Sequence, residues 1–185
     1  SDRALAALEY YVPNKAVVTG SNLVSNGTFD SSTAGWTASA GASLSVVSGA
    51  MRVTQTSSGQ QYAYQTITTE AEKHYKVTGD FSNDGSPENI GFLLGTSIGG
   101  KTLGQAWLSD DADHTSFYFT ATGTTTYLHA ALSFDISDYC DFDNITVEEV
   151  DRNPSAARYL PRRENYEYID GAWVKGLLVE PDGAT

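Results

Sequence analysis

Alternation of apolar and polar residues with a period of two dominates this chain from residue 22 to residue 150. The segment His74–Phe81 is the clearest example, since Tyr75, Val77 and Phe81 fall on the same side of an extended backbone. Clusters of Gly, Asn, Asp and Ser interrupt the alternation, as turns between short strands do. No segment of helical periodicity and helical length lies between these strands. The pattern therefore predicts an all-β fold for residues 22–150.

Two further segments show how the strands are used. In Ser116–Thr120 the alternation directs Phe117 and Phe119 inward and Tyr118 outward. In Tyr127–Phe134 it buries Leu128, Ala130, Leu132 and Phe134. About ten strands of this kind are too many for one flat sheet and are typical of two packed sheets. The expected fold is a jelly-roll β-sandwich of two antiparallel sheets.

The chain before the sandwich, residues 1–21, is predicted to hold a short helix and a linker. Ser1 can cap a helix, Leu5 and Leu8 recur at helical spacing, and Pro13 ends the segment. A helix over residues 1–12 is too short to be stable alone in water. It must therefore dock either on this domain or on a neighbouring subunit.

Residues 151–185 have a different character and are predicted to form an extended arm with a β-hairpin. The segments Tyr166–Ile169 and Ala172–Val174 flank Asp170-Gly171, a dipeptide that favours a tight hairpin turn. An isolated hairpin is at best marginally stable. The hairpin must therefore pack on the sandwich or on another subunit, and we expect self-association, or association with other proteins, through residues 1–12 and 151–185.

Charge and cysteine content exclude several classes of function. The net charge is −12, and residues 1–150 carry 6 Lys and Arg against 17 Asp and Glu. So acidic a surface repels phosphate backbones, which argues against nucleic acid as a partner, whereas clustered carboxylates suit Ca²⁺. Cys140 is the single cysteine, so no internal disulfide can form. No apolar run is long enough to span a bilayer and no signal peptide is recognisable, so no membrane partner is expected.

Two motifs bracket the predicted sandwich. The first is Asn26-Gly27-Thr28-Phe29-Asp30, followed by Gly35-Trp36, and the second is Asp141-Phe142-Asp143-Asn144-Ile145. Together they resemble the opening and closing signatures of jelly-roll carbohydrate-binding modules of the CBM4/9/22-like group, over residues 22–150. The resemblance implies a structural calcium ion held by the carboxylates of Asp30 and Asp143 and the backbone carbonyls of Gly27 and Lys73. The alternative is that Asp30 caps a turn and Asp143 is solvated.

Sugar-binding faces stack aromatic rings against pyranose rings, so outward-pointing aromatic residues are the candidates for such a site. We expect one platform, with Gln61 and Asn89 at its rim, formed by Tyr62, Tyr64, Trp107, Tyr118, Tyr127 and His129. The alternative is structural, because outward tyrosines often pair only with residues on neighbouring strands. They can also be covered by the flanking segments or by another subunit.

The arm suggests a biological setting. The run from Ala157-Arg158-Tyr159-Leu160-Pro161-Arg162 to Gly176-Leu177-Leu178-Val179-Glu180 resembles a linker of bacteriophage structural and tail-fibre proteins. The combined resemblances imply a non-catalytic protein of the virion surface that adheres to host or environmental glycans. The alternatives are a purely structural decoration, fibre or tail subunit, and an accessory module of a secreted polysaccharide hydrolase. No zinc-ligand spacing, nucleophile elbow or nucleotide-binding loop indicates an enzyme.

Overall fold

The structure is a computed structural model that describes residues 16–83, 90–108, 114–133 and 138–152, together with the backbone of 166–169 and 172–175. The helix expected over residues 1–12 lies outside the described residues. The described part of the chain contains the following strands: β1 (Val17–Val18), β2 (Thr37–Ala38), β3 (Ala42–Val47), β4 (Ala50–Gln55), β5 (Gln61–Thr68), β6 (His74–Asn83), β7 (Ile90–Gly95), β8 (Gly104–Leu108), β9 (His114–Thr120), β10 (Thr125–Leu132), β11 (Tyr139–Asp151), β12 (Tyr166–Ile169) and β13 (Ala172–Lys175).

Residues 18–151 form one compact unit built from two sheets. The six-stranded sheet has the order β3-β4-β11-β6-β9, with β1 also beside β11, and the five-stranded sheet has the order β2-β5-β10-β7-β8. Neighbouring strands along both of these orders are antiparallel. The predicted jelly-roll β-sandwich of two antiparallel sheets is confirmed.

The core consists of apolar side chains that alternate along the strands. Tyr75, Val77 and Phe81 are buried on one side of β6, as the sequence predicts. On β9, Phe119 is buried and Phe117 is partly buried against the core, whereas Tyr118 is 40% exposed. On β10 the alternation buries Leu128, Ala130 and Leu132, as predicted, and Phe134 lies outside the described residues.

The segment that precedes β2 runs along β11 and joins the two ends of the sandwich. The amide of Leu23 donates to the carbonyl of Val147 at 2.8 Å, and the amide of Ile145 donates to the carbonyl of Gly27 at 2.9 Å. The side-chain oxygen of Asn22 accepts hydrogen bonds from the amide of Val147 and the amide of Val24, each at 3.0 Å. The opening motif therefore closes the fold by pairing with the last strand of the sandwich.

Two side-chain amides fix the turns that follow. Gln65 points into the interior, where its oxygen accepts a hydrogen bond from the amide of Ser25 and its nitrogen donates to the carbonyls of Ser25 and Gly35. The nitrogen of Asn26 donates to the carbonyl of Ser32 at 2.8 Å. A buried polar group such as Gln65 is tolerated when it is hydrogen-bonded in this way, and its bonds then fix the loop conformation.

The arm contains the expected hairpin as a separate two-stranded sheet. β12 and β13 pair antiparallel, with Tyr166 opposite Lys175 and Ile169 opposite Ala172. This register leaves residues 170 and 171 as the two-residue connection. The hairpin prediction is confirmed.

Gly27 is predicted to be a position that accepts no side chain. A β-carbon built on Gly27 would lie 2.2 Å from the backbone carbonyl oxygen of Ile145, which cannot move without breaking the pairing described above. We expect Gly27→Ala to lower the free energy of unfolding by about 2 kcal/mol or more. Urea unfolding measures this change. The matched control is Gly123→Ala, because nothing lies within 4 Å of the β-carbon there, and an equal loss in both variants would contradict the prediction.

Candidate functional site

Three tyrosines share the outer face of the five-stranded sheet. Tyr62 and Tyr64 project from β5, and Tyr127 projects from the neighbouring β10. The ring centroids of Tyr62 and Tyr64 are 6.2 Å apart, and those of Tyr64 and Tyr127 are 6.4 Å apart. All three side chains are half-buried. We refer to Tyr62, Tyr64 and Tyr127 as the tyrosine cluster, and it brings together three of the six residues predicted to bind sugar.

His129 occupies the same face but is not available to a ligand, so its predicted role needs correction. The side chain is fully buried, and its ring packs edge-on against Tyr62 with centroids 5.0 Å apart. Its Nε2 accepts a hydrogen bond from the amide of Gly99 at 2.8 Å. Its Nδ1 must then carry the proton and donate to the carbonyl of Leu93 at 3.1 Å. His129 lies beneath the cluster as a support.

Burial controls the protonation of His129. Removal from water lowers the pKa of the imidazole, and the hydrogen bond to the Leu93 carbonyl opposes this only in part. The neutral form is also the form that can accept a hydrogen bond from Gly99. Protonation would place a second N–H against the Gly99 amide and would break that bond.

Tyr118 and Trp107 are separated from the tyrosine cluster. Tyr118 lies on β9 opposite Lys76 and belongs to the six-stranded sheet, so the prediction of one platform is wrong for this residue. Trp107 is on β8, at the edge of the five-stranded sheet, and pairs with Gly91. Strands β7 and β10 therefore lie between Trp107 and Tyr62. Alternation predicted the outward direction of Tyr118 correctly, but it could not assign the strand to a sheet.

Gln61, one of the two expected rim residues, is also displaced. Gln61 is buried on the inner side of β5, where its side-chain oxygen accepts a hydrogen bond from the Ser39 hydroxyl at 2.8 Å and its nitrogen donates to Ser57 Oγ at 3.1 Å. Gln61 therefore fixes loops at the edge of the sandwich and does not line the tyrosine cluster. Asn89 lies outside the described residues.

The outer face of the six-stranded sheet is charged. A shallow depression of about 440 Å³ is lined by Ala50, Asp80, Phe81, Ser82, His114, Asp141 and Asp143. Beside it, the guanidinium of Arg52 donates two hydrogen bonds of 2.7 Å to the carboxylate of Asp141 and stacks 3.6 Å from the centroid of the Tyr139 ring. Sequence alternation places these residues outward but gives no signal for the bidentate pairing.

Asp80 and Asp143 lie opposite each other on β6 and β11, and their pKa values are shifted in opposite directions. Burial raises the pKa of Asp80, but hydrogen bonds with His114 at 2.6 Å and from Asn144 at 2.7 Å outweigh it and lower the pKa overall. Burial and the carboxylates of Asp80 and Asp30 raise the pKa of Asp143, against a hydrogen bond from the Asn144 amide. The ionised form of Asp143 is therefore disfavoured by its surroundings.

The predicted calcium ligands assemble only in part. Asp30 lies near enough to Asp143 to affect its pKa, and the Gly27 carbonyl accepts a hydrogen bond from Ile145, two residues beyond Asp143.

Lys73 does not join this group, because it lies seven residues before Asp80 in an extended segment, roughly 20 Å away. Its carbonyl accepts a hydrogen bond from Ala121 and its ammonium pairs with Glu149 at 2.8 Å. Among the described residues, no three acidic, histidine or cysteine side chains form a metal-binding group.

The sequence analysis did not identify the loop between β7 and β8. Ser97-Ile98-Gly99-Gly100 has the composition of a turn, which is the only signal that the sequence offers. The structure places the Gly99 amide on His129 and the Gly99 backbone beside the hydroxyl of Tyr62. This loop is therefore part of the candidate site.

Comparison with solved structures identifies the fold. The xylan-binding CBM22-1 domain of Paenibacillus barcinonensis Xyn10C is similar with a TM-score of 0.57 and 16% identity, over 72% of this chain and 97% of that domain. A CBM4 module is similar with a TM-score of 0.52 and 21% identity, over 68% of this chain and 99% of the module. The fold is that of jelly-roll carbohydrate-binding modules. No protein-family model and no curated protein matches the sequence.

A bacteriophage protein also contains this fold. The enzymatically active domain of tailspike protein 4 of bacteriophage CBA120 is similar with a TM-score of 0.50 and 14% identity, over 69% of this chain and 21% of that chain. At these identities the similarity concerns the fold alone.

In the described part of this chain, no helix has the length and hydrophobicity required to cross a membrane.

The lowered pKa of His129 predicts a pH dependence of stability. The unfolded chain takes up a proton near the ordinary pKa of about 6.5, whereas the folded protein resists protonation. The contribution of neutral His129 to stability is therefore fully present above about pH 6.5. It is lost as the pH falls, by at most about 1.4 kcal/mol per pH unit for one proton. Urea unfolding at pH 7.5 and 5.5 measures the loss. His129→Gln should be less stable at pH 7.5 but should lose less between the two pH values. An identical loss in the variant would contradict this assignment.

Proposed function

We propose that this chain is a non-catalytic glycan-binding protein that binds through the tyrosine cluster. The observation that carries the proposal is the placement of three half-buried tyrosine rings on one sheet face, with centroid spacings of 6.2 Å and 6.4 Å and ring planes inclined at 65° and 54°. Such rings offer apolar faces to sugars while their hydroxyls remain available as hydrogen-bond partners. The similar folds include a xylan-binding domain, which supports a glycan as the class of ligand.

We further propose that the protein acts at the virion surface of a bacteriophage. The arm resembles a phage linker, and a phage tailspike contains a domain of similar fold. A single site of this kind binds weakly, and repetition on a particle raises the avidity without new contacts. Self-association, or association with other virion proteins through residues 1–12 and 151–185, would supply that repetition.

A purely structural role is the second candidate. It is favoured by the half-burial of the tyrosine cluster and by the β7–β8 loop beside Tyr62, because both reduce the aromatic surface available to a ligand. A decoration, fibre or tail subunit would retain the sandwich and would bind no sugar. The third candidate, an accessory module of a polysaccharide hydrolase, is favoured by the xylan-binding domain of similar fold.

The test of the principal proposal is binding to a broad glycan array by the parent protein and by Tyr62→Ala/Tyr64→Ala. We expect selective binding by the parent and a loss of about 30-fold in the double variant, for two aromatic contacts of about 1 kcal/mol each. Tyr118→Ala is the matched control, because this exposed tyrosine lies on the opposite sheet and its removal should leave binding unchanged. Absence of binding by the folded parent would favour the structural role.

Calcium remains a separate proposal that rests on Asp30 and Asp143, with the carbonyl of Gly27 near them. The residues fit a hard cation to this extent: Asp143 is a half-buried carboxylate next to Asp30 and Asp80, and a bound cation would neutralise their repulsion. Lys73 is not one of the proposed calcium ligands, because it lies too far from Asp143. When bound, the ion would tie the opening segment to β11 and would contribute stability.

The calcium proposal predicts a melting temperature that rises with added Ca²⁺ and falls on treatment with EDTA. Asp143→Asn removes the charge that is unfavourable in the absence of an ion, so this variant should be at least as stable as the parent in EDTA. It should gain nothing from calcium. Differential scanning calorimetry of both proteins, with and without the ion, provides the comparison. If neither EDTA nor calcium changes the melting temperature of the parent protein, the calcium site does not exist.

A further inference from the structure

The β7–β8 loop, defined as residues 96–103, lies along one side of the tyrosine cluster. It begins just after Gly95, which pairs with Tyr127. Its tip brings Gly99 close to Tyr62, since a β-carbon built on Gly99 would lie 2.9 Å from the hydroxyl oxygen of that tyrosine. A ligand placed on the rings would therefore have the loop along one edge.

The tip of this loop is held on the sheet by a hydrogen bond with His129. The amide of Gly99 donates to Nε2 of the ring at 2.8 Å, and Nδ1 donates to the carbonyl of Leu93 at 3.1 Å. His129 and Leu93 are fully buried, so water does not compete for either bond. Only the neutral ring offers Nε2 as an acceptor. The closed position of the loop therefore depends on the protonation state of His129.

The groups around His129 are uncharged or cationic in acid. The five strands of its sheet contain no Asp, Glu, Lys or Arg. The titratable groups that face the ring are the phenols of Tyr62 and Tyr64 on β5, with centroids 5.0 Å and 6.1 Å away. Strand β7 contributes the carbonyl of Leu93, and the loop carries one cation, the exposed Lys101. Among these described elements, no carboxylate stabilises a protonated His129.

Protonation of His129 is incompatible with the closed position of the loop. The new N–H would face the amide of Gly99, so that two donors would meet without an acceptor between them. An unpaired charge is strongly disfavoured in a protein interior, so the imidazolium must reach water. Residues 96–99 are exposed, whereas the strands beneath them are paired in the sheet. The loop therefore moves off the ring more readily than a strand does.

We propose that pH controls the glycan site through His129: the neutral ring keeps the β7–β8 loop closed beside the tyrosines, and protonation opens the loop and releases the ligand. The inference rests on the proposed glycan-binding function. The site then has two states, one neutral and closed and the other cationic and open. The glycan binds the closed state more tightly, because only there does the loop contact it beside the rings. Glycan binding and proton uptake at His129 therefore oppose each other.

The test measures affinity for the glycan that binds best on the array, by isothermal titration calorimetry between pH 7.5 and 4.5, with circular dichroism to verify folding. For the parent we expect a constant affinity at first and then a fall that approaches about tenfold per pH unit, as for one proton. His129→Gln can still accept a hydrogen bond from Gly99 but takes up no proton, so its affinity should stay constant. The matched control, His114→Gln, alters an exposed histidine of the six-stranded sheet and should retain the fall.

A second variant tests the loop separately from the histidine. Gly99 has a φ of +74°, and an added β-carbon would meet the hydroxyl of Tyr62, so Gly99→Ala displaces the tip and changes no titratable group. We expect its affinity at pH 7.5 to be at least about threefold lower than that of the parent and to depend less on pH. An affinity equal to that of the parent at every pH would overturn the proposed role of the loop.

The outcomes separate this inference from the function on which it rests. If the folded parent binds no glycan at pH 7.5, the proposed function fails. If the parent binds through Tyr62 and Tyr64 with an affinity that does not depend on pH, or if His129→Gln shows the same fall, the function holds and the inference fails.

The parent protein alone decides the question if His129→Gln does not fold. Nuclear magnetic resonance then follows the titration of the His129 ring with and without saturating glycan. The glycan should lower the pKa of His129, because it binds the state with the neutral ring. An unchanged pKa, or unfolding of the parent before His129 takes up its proton, would overturn the proposal.

Discussion

The pairing of the opening segment with β11 is the interaction on which the rest of the sandwich depends. β11 runs from Tyr139 to Asp151, the longest of the described strands, between β4 and β6. Its register against β6 shifts between Asp143 and Thr146, where Asn144 has a φ of 50°. Such a bulge turns part of a strand away from its neighbour, and here the amide of Ile145 bonds to the carbonyl of Gly27. Two segments more than a hundred residues apart are thereby joined.

The two outer faces of the sandwich carry different chemistry. The five-stranded sheet presents aromatic rings above a fully buried neutral histidine, whereas the six-stranded sheet presents carboxylates paired with Arg52 and His114. A sugar can stack on the first face with little electrostatic cost. The second face attracts cations, and repulsion among Asp30, Asp80 and Asp143 is the feature that a cation would relieve. The proposed glycan site and the proposed ion site therefore lie on opposite sheets.

Much of the fold and part of the candidate site follow from local patterns. Alternation identified the inward sets on β6 and β10, and it also identified Tyr62, Tyr64, Tyr118 and Tyr127 as outward residues. The same rule treated all outward residues as members of one surface, although β9 and β5 belong to different sheets. It also described His129 as available, since alternation reports the direction of a side chain and not what lies over it. The loop that covers His129 arrives from a segment thirty residues earlier.

The sequence by itself determined the class of fold, the strands, their inward and outward sides, and the hairpin of the arm. These depend on interactions between residues that are close in the chain, which fix backbone conformation and side-chain direction. Only the tertiary structure decided which strands share a sheet, which outward aromatics lie together, and which are covered. Those properties depend on strand order and on loop paths, because hydrogen bonds such as that from Gly99 to His129 join segments whose approach no local pattern records.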